Sequence, residues 1–165
     1  MIDSPLILIF PAAMAFAASM DLLTMTIPNR ISIALIAIFF VVAPFSGLTA
    51  QQFAMHAGAG ITMLVIGIGM FAAGWVGGGD AKLLAVGALW LGLPELVPFL
   101  LLTGIIGSVL LLALVAYRVY PAGALPIPDW AVRLHRRDTG MPYGIAIGGA
   151  AIALFPQSAL FQALI

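Results

Sequence analysis

A chain of 165 residues in which 64% are hydrophobic and only 7% charged has a mean hydropathy of +1.21. Soluble domains need about a quarter charged residues to cover their surface, so this composition excludes a soluble globular domain and indicates an integral membrane protein. Six basic and six acidic residues cancel, which leaves no basic footprint for nucleic acid; the absence of cysteine excludes disulfides, a thiol nucleophile, haem attachment and cysteine zinc sites. The apolar runs are continuous rather than alternating, so helices are expected in place of a β-barrel, and six spans of roughly 20 residues would fill most of the chain.

The amino terminus, Met1-Ile2-Asp3-Ser4-Pro5, carries an acid where a cleaved signal would be basic, so the first run reads as a retained span, about 5–23, with Asp21 in its last turn. Thr26-Ile27-Pro28-Asn29-Arg30 then stops the helix, because Pro28 disfavours helical geometry at Ile27 and Asn29 is a turn residue. A second span, about 31–45, ends at the uncharged turn Ser46-Gly47-Leu48-Thr49. The third, about 53–75, is rich in glycine (Gly58, Gly60, Gly67, Gly69), which suits close helix contacts in lipid.

The run Gly77-Gly78-Gly79-Asp80-Ala81-Lys82-Leu83 opens the fourth span, about 80–93. At 1.5 Å per residue this helix is only roughly 21 Å long, so Asp80 must already lie inside the membrane or Gly92-Leu93-Pro94 must bend within it. The fifth span is about 96–117. A connector at 118–139 holds Pro121, Pro126 and Pro128 and most of the basic residues, and the sixth span is about 141–165.

Placing the amino terminus outside puts loops 24–30, 76–82 and 118–139 inside, and with them Arg30, Lys82, Arg118, Arg133, Arg136 and Arg137. These are all the Lys and Arg residues of the chain, while Asp3 and Glu95 fall outside; the positive-inside rule thus predicts both termini on the extracytoplasmic side. Within the connector, Ile127, Trp130, Ala131 and Leu134 recur at helical spacing, with Arg133, Arg136 and Arg137 on another arc. A short helix on the inner leaflet is expected there, with Trp130 at headgroup level, serving as a topology anchor or as a docking surface for a partner.

This topology brings Asp21, ending span one, and Asp80, opening span four, to one depth at the cytoplasmic end. An acid inside a membrane costs roughly 2.5–3.5 kcal/mol at mid-helix and less near an interface, so a pair of them needs a reason. Two carboxyls held close share a proton: the ionised one takes a proton from water attacking a peptide carbonyl, and the protonated one donates to the carbonyl oxygen. Such a pair titrates as a unit and needs neither metal, cofactor nor covalent intermediate. Taken singly, Asp21 also reads as a solvated terminal residue and Asp80 as a cap of the fourth helix.

Gly77, Gly78 and Gly79 leave bare backbone beside Asp80, against which an extended substrate can pair in strand fashion. Lys82 lies two residues from Asp80 and points to another side of the helix, so it is assigned to the interface, with tuning of the site as the alternative. His56 reads as a packed or lumen-facing polar residue, and His135 as surface.

Asp21 within Asp-x5-Ile-Pro-Asn, together with Gly77-Gly78-Gly79-Asp80-Ala81-Lys82-Leu83, resembles the type IV prepilin peptidases, membrane aspartic proteases of the GxGD class. Met141-Pro142-Tyr143-Gly144 at the start of the last span is similar to their Pro-[Phe/Tyr]-Gly motif. The resemblance implies that Asp21 and Asp80 are the catalytic pair and that Gly77 and Gly79 are the motif glycines. It also implies that Pro142, Tyr143 and Gly144 lie near the site. It further implies a bacterial inner-membrane enzyme that removes short basic leaders from prepilins at the cytoplasmic face, commonly after a glycine. Lacking cysteines and a polar insertion between the first two spans, the chain is similar to the small CpaA/TadV branch serving Flp-type tight-adherence pili, and no methyltransferase activity is expected. The rivals are a proton-coupled transporter, since intramembrane acids also mark ion paths, and a non-catalytic subunit of a membrane assembly.

Overall fold

The computed structural model describes residues 5–119, 128–136 and 139–165; Asp3, Pro121, Pro126, Ile127 and Arg137, which enter the expectations above, lie outside the described residues. Every regular element among the described residues is helical: α1 (Ile9–Thr24), α2 (Asn29–Val42), α3 (Ala50–Ala72), α4 (Gly78–Leu91), α5 (Leu96–Val119), α6 (Asp129–His135), α7 (Gly144–Leu154) and α8 (Ala159–Leu164). Three stretches are long and apolar enough to cross a membrane, Leu6–Thr24, Ala50–Ala72 and Leu96–Val119, with Asn29–Phe45 and Gly144–Gln157 as shorter apolar stretches.

The short fourth helix is the centre of the molecule. Ten of its fourteen residues are buried, on all sides, so protein rather than lipid surrounds α4, as expected of a helix that is apolar all round. Its closest neighbour is α3, and glycines set that distance. A Cβ at Gly60 would stand 2.9 Å from the Cβ of Leu89, and one at Gly67 3.1 Å from the Cβ of Ala81. Gly60→Ala is therefore expected to destabilise the fold by about 1–3 kcal/mol, the cost of overpacking. Gly69→Ala, where nothing lies within 4 Å, is expected to be neutral or slightly stabilising. Thermal unfolding in detergent measures the difference.

One end of the bundle is filled with aromatic rings. Phe10 of α1 stacks on Trp90 of α4 at 4.9 Å, and its other neighbour is Phe155, beyond α7, at 4.8 Å. The Trp90 indole N–H also donates to the Leu35 carbonyl of α2 at 3.1 Å, so the plug is anchored by a polar bond. From these rings, α1 runs forward eleven residues to Asp21, α4 runs back ten to Asp80, and α7 runs back eleven to Gly144. Those intervals are each roughly 15–16 Å at 1.5 Å per residue. Pinning the rings together thus brings Asp21, Asp80 and Gly144 level at the opposite end.

Several boundaries differ from the expected ones for local reasons. The third helix begins at Ala50 rather than near 53 because Thr49 and Gln52 form a reciprocal capping box. The fourth begins two residues earlier and stops at Gly92, whose φ of +85° ends it. The sixth span is not continuous: α7 gives way to a 3-10 turn at Phe155–Gln157, where Pro156 sits, and Ser158 then caps α8 by accepting from the Phe161 N–H. His56 proves to be packed rather than lumen-facing. It is buried, its Nδ1 lies 2.9 Å from the Leu89 carbonyl, and Gly92 has no Cβ because the ring is 3.2 Å away.

The expected connector helix is present as α6 and is also docked on protein. Ala131 and Leu134 are buried as the spacing predicts, and their carbonyls accept from the Tyr117 hydroxyl (3.1 Å) and Arg118 Nε (2.9 Å) of α5. Trp130 lines a cavity between α6 and α5. His135 is half-buried rather than surface, edge-on to Tyr117 at 5.3 Å.

Candidate active site

Asp21 is held in the last turn of α1, which closes when Met25 takes a left-handed conformation (φ 56°) and its N–H bonds the Asp21 carbonyl at 2.8 Å. The side chain is 6% exposed, and its Oδ2 accepts from the Gly144 N–H at 2.7 Å. Pro142 and Tyr143 make the turn that starts α7, with the Ile145 N–H bonding the Pro142 carbonyl, so the first free amide of α7 is aimed at Asp21. A helix start is a favourable seat for a carboxylate, since its unpaired N–H groups carry partial positive charge. Residue 144 has to be glycine for this contact: a Cβ there would lie 2.8 Å from Asp21 Oδ2 and 3.1 Å from its carboxyl carbon.

Asp80 occupies the third position of α4 and reaches back to the Gly77 N–H, the half of a capping box that an N-terminal acid supplies. It is half-buried, and the charge of Asp21 bears on it directly. Both acids are therefore seated on amides at the start of a helix and lie within electrostatic reach of each other, although 59 positions separate them (80 − 21). Tyr143, half-buried, lies within electrostatic reach of Asp80, and its ring rests against the bare α-carbon of Gly107, where a Cβ would come within 2.6 Å.

The glycine run is positioned differently from the expectation. Only Gly77 is extended, while Gly78 and Gly79 are already in the first turn of α4, so strand-like pairing is open to the backbone up to Gly77 and not beyond. The other two serve packing. A Cβ at Gly79 would meet Ile27 of the Ile-Pro-Asn segment at 3.2 Å, and one at Gly78 the ring of Phe71 at 3.3 Å. Lys82 points away from the acids, as its spacing predicts, and its Nζ donates to Asn29 Oδ1 at 2.8 Å, joining the starts of α4 and α2.

The charge distribution places Arg118 and Arg133 at this end of the molecule but does not anticipate their contacts. The Arg133 guanidinium donates to the Leu23 carbonyl at 2.7 Å, two residues from Asp21, and Arg118 Nη2 donates to the Thr139 carbonyl at 2.7 Å, just before the Pro-Tyr-Gly turn. No local signal could have found them, because both partners are main-chain carbonyls distant in sequence. Arg133→Ala is expected to release α6 from α1 and to raise the rate of proteolytic cutting at α6 about tenfold. That is the effect of losing one charged hydrogen bond, followed by gel mobility of the nicked chain.

Beside Asp21, an apolar cavity of about 440 Å³ opens between α1, α5 and α6, lined by Leu22, Tyr117, Trp130, Leu134 and Pro142 among others. Among the described residues no group of three or more His, Cys, Asp or Glu side chains is arranged to hold a metal ion. The molecule is thus a helical membrane protein with two carboxyls within electrostatic reach of each other at one end of its bundle. Residues 8–112, more than half of the chain, match the model of the type IV leader peptidase family, and the chain belongs to that family. The matched region contains both aspartates and the glycine run, and ends before Pro142. No curated protein and no solved structure matches the chain.

Proposed function

We propose that this protein is an aspartic endopeptidase of the inner membrane of a bacterium, which removes a short basic leader from a single-span prepilin at the cytoplasmic face. The reading is supported by Asp21 and Asp80, from helices far apart in sequence, lying within electrostatic reach of each other at the end where Lys82, Arg118 and Arg133 also make their contacts. Membership of a leader peptidase family supplies the class of reaction.

In this mechanism the ionised member of the pair removes a proton from a water as its oxygen attacks the scissile carbonyl. The protonated member donates to the carbonyl oxygen. Collapse of the tetrahedral intermediate breaks the C–N bond: the departing amine takes a proton from the pair, and a hydroxyl of the intermediate returns one to it as the new carboxyl forms, which restores the shared proton. The Gly144 and Gly77 amides fix the two carboxyls, so little reorganisation is needed at the moment of reaction. The extended backbone at Gly77 guides the leader, and the apolar cavity at Leu22 and Pro142 accommodates the start of the substrate's membrane helix. The whole described chain acts as one peptidase unit.

The test is reconstitution of the purified protein in liposomes with a small pilin precursor bearing a basic leader, followed by mass spectrometry. Loss of the leader at a single bond is expected, unaffected by serine- and cysteine-directed inhibitors or by chelators. An intact precursor after prolonged incubation would count against the assignment, as would a rate abolished by chelation.

A further inference from the structure

On the face of the molecule away from the acids, α2, α3 and α4 enclose a groove of about 390 Å³. Lys82, Ala85, Val86 and Leu89 form its α4 wall. At 100° per residue Lys82 lies about 200° around α4 from Asp80, so the groove is turned away from the candidate catalytic pair and offers a substrate helix no direct approach to it. Its outer rim is exposed and apolar, with Ile33, Ile36, Phe40, Ile61 and Leu64 facing lipid.

Its polar groups are few and ordered by depth. At the mouth, the Lys82 ammonium bonds Asn29 Oδ1, which uses one of its three N–H donors. Ser32, one turn of α2 further in, also lines the groove; it is 4% exposed and its hydroxyl has no hydrogen-bond partner. A buried hydroxyl without a partner is costly, and one at this position calls for an acceptor supplied from outside the chain. Beyond Ser32 the lining is purely apolar.

We propose that this groove is a binding site for an anionic phospholipid. The phosphate meets Lys82 at the mouth, an ester carbonyl of the glycerol backbone accepts from Ser32 about 4.5 Å deeper (three residues of helix), and an acyl chain lies along Ile36, Phe40 and Ile61. The order of charge, hydrogen-bond donor and apolar wall follows the order of phosphate, ester and chain in the lipid. A substrate helix or a second copy of this chain would have to bring an acidic side chain to Lys82, and its own carbonyls are already bonded within its helix, whereas a phospholipid carries both acceptors in the required order. The bound lipid holds α2 against α4 through Asn29 and Lys82, and so supports the start of the helix that carries Asp80.

The full-length protein in detergent, equilibrated with equal amounts of dioleoyl phosphatidylglycerol and dioleoyl phosphatidylcholine, is to be examined by native mass spectrometry. Retention of phosphatidylglycerol about fivefold above phosphatidylcholine is expected, the effect of one lysine on one anionic headgroup. Lys82→Ala should bring the two lipids to parity and Lys82→Arg should keep the preference, which separates charge from any loss of fold. Ser32→Ala should lower retention of both lipids alike, and Ala57→Phe, which fills the groove, should remove both. Equal retention of the two lipids by the unaltered protein, or an unchanged preference in Lys82→Ala, overturns the proposal. In vesicles, a photoreactive residue placed at Ile61 should label phospholipid; labelling of a co-embedded single-span precursor or of a second copy in its place also overturns it.

Discussion

Asp21→Asn and Asp80→Asn, and the corresponding alanine variants, are each expected to reduce leader cleavage by at least 10²–10⁴-fold, the usual contribution of a positioned acid or base. The protein should remain in the membrane fraction, because neither side chain belongs to the aromatic plug that pins the far end of the bundle. The asparagine variants are the sharper ones. They keep size and hydrogen-bonding capacity, so in Asp21→Asn the side-chain carbonyl can still accept from the Gly144 amide while the ability to exchange a proton is lost. The double variant should be no slower than the slower single one, since residues that act as a unit are not additive. Precursor processing in vivo, followed by gel shift, gives the rates. Substantial processing by either single variant would leave a hydrophobic bundle with no two-carboxyl mechanism.

Gly144→Ala is the second large effect. The added methyl would stand 2.8 Å from Asp21 Oδ2 and 3.0 Å from its Cβ, so the acid must move off the start of α7. A displacement of about 1 Å in a catalytic group costs on the order of 10²-fold in rate, and that loss is expected here with little change in the amount of folded protein. Gly149→Ala, five residues on, is the control: its nearest neighbour is the Ile106 Cδ1 at 3.6 Å, an ordinary contact, and activity should be kept. If Gly144→Ala cleaves at the normal rate, the Asp21 carboxyl is not fixed by this amide during the reaction.

These two experiments address different kinds of information. Asp21 and Asp80 stand out in the sequence because ionisable groups in apolar runs are few, and because the distribution of Lys and Arg places both at one depth. Depth alone leaves lateral position open. It is the packing of Phe10, Trp90 and Phe155 at the other end that brings α1, α4 and α7 side by side. Gly144 was singled out by motif, but its reason, room for a carboxyl, belongs to a contact across 123 positions (144 − 21).

Where local reasoning failed, a tertiary contact decided. The glycine run reads as bare loop by composition, yet Gly78 and Gly79 are helical and accommodate Phe71 and Ile27, because α4 must start close under α3 and the Ile-Pro-Asn segment. The connector helix has the amphipathic pattern of a lipid-surface helix. Its carbonyls nevertheless bond Tyr117 and Arg118, since an arginine within reach of a free helix-end carbonyl loses less by bonding it than by remaining solvated at an apolar boundary.

What the amino-acid sequence determined by itself is the class: a helical membrane protein, from composition, and a leader peptidase relative, from a handful of residues in order. Both are properties of residue type and spacing along the chain. Only the tertiary structure decided that α4 is enclosed by protein, that Asp21 and Asp80 lie within electrostatic reach, that Gly144 bonds Asp21, and that Arg133 bonds the main chain two residues beyond it. Each of those depends on which helix lies beside which, and in a chain whose apolar faces are nearly uniform, that choice is made by shape, by glycine against ring and methyl against bare backbone.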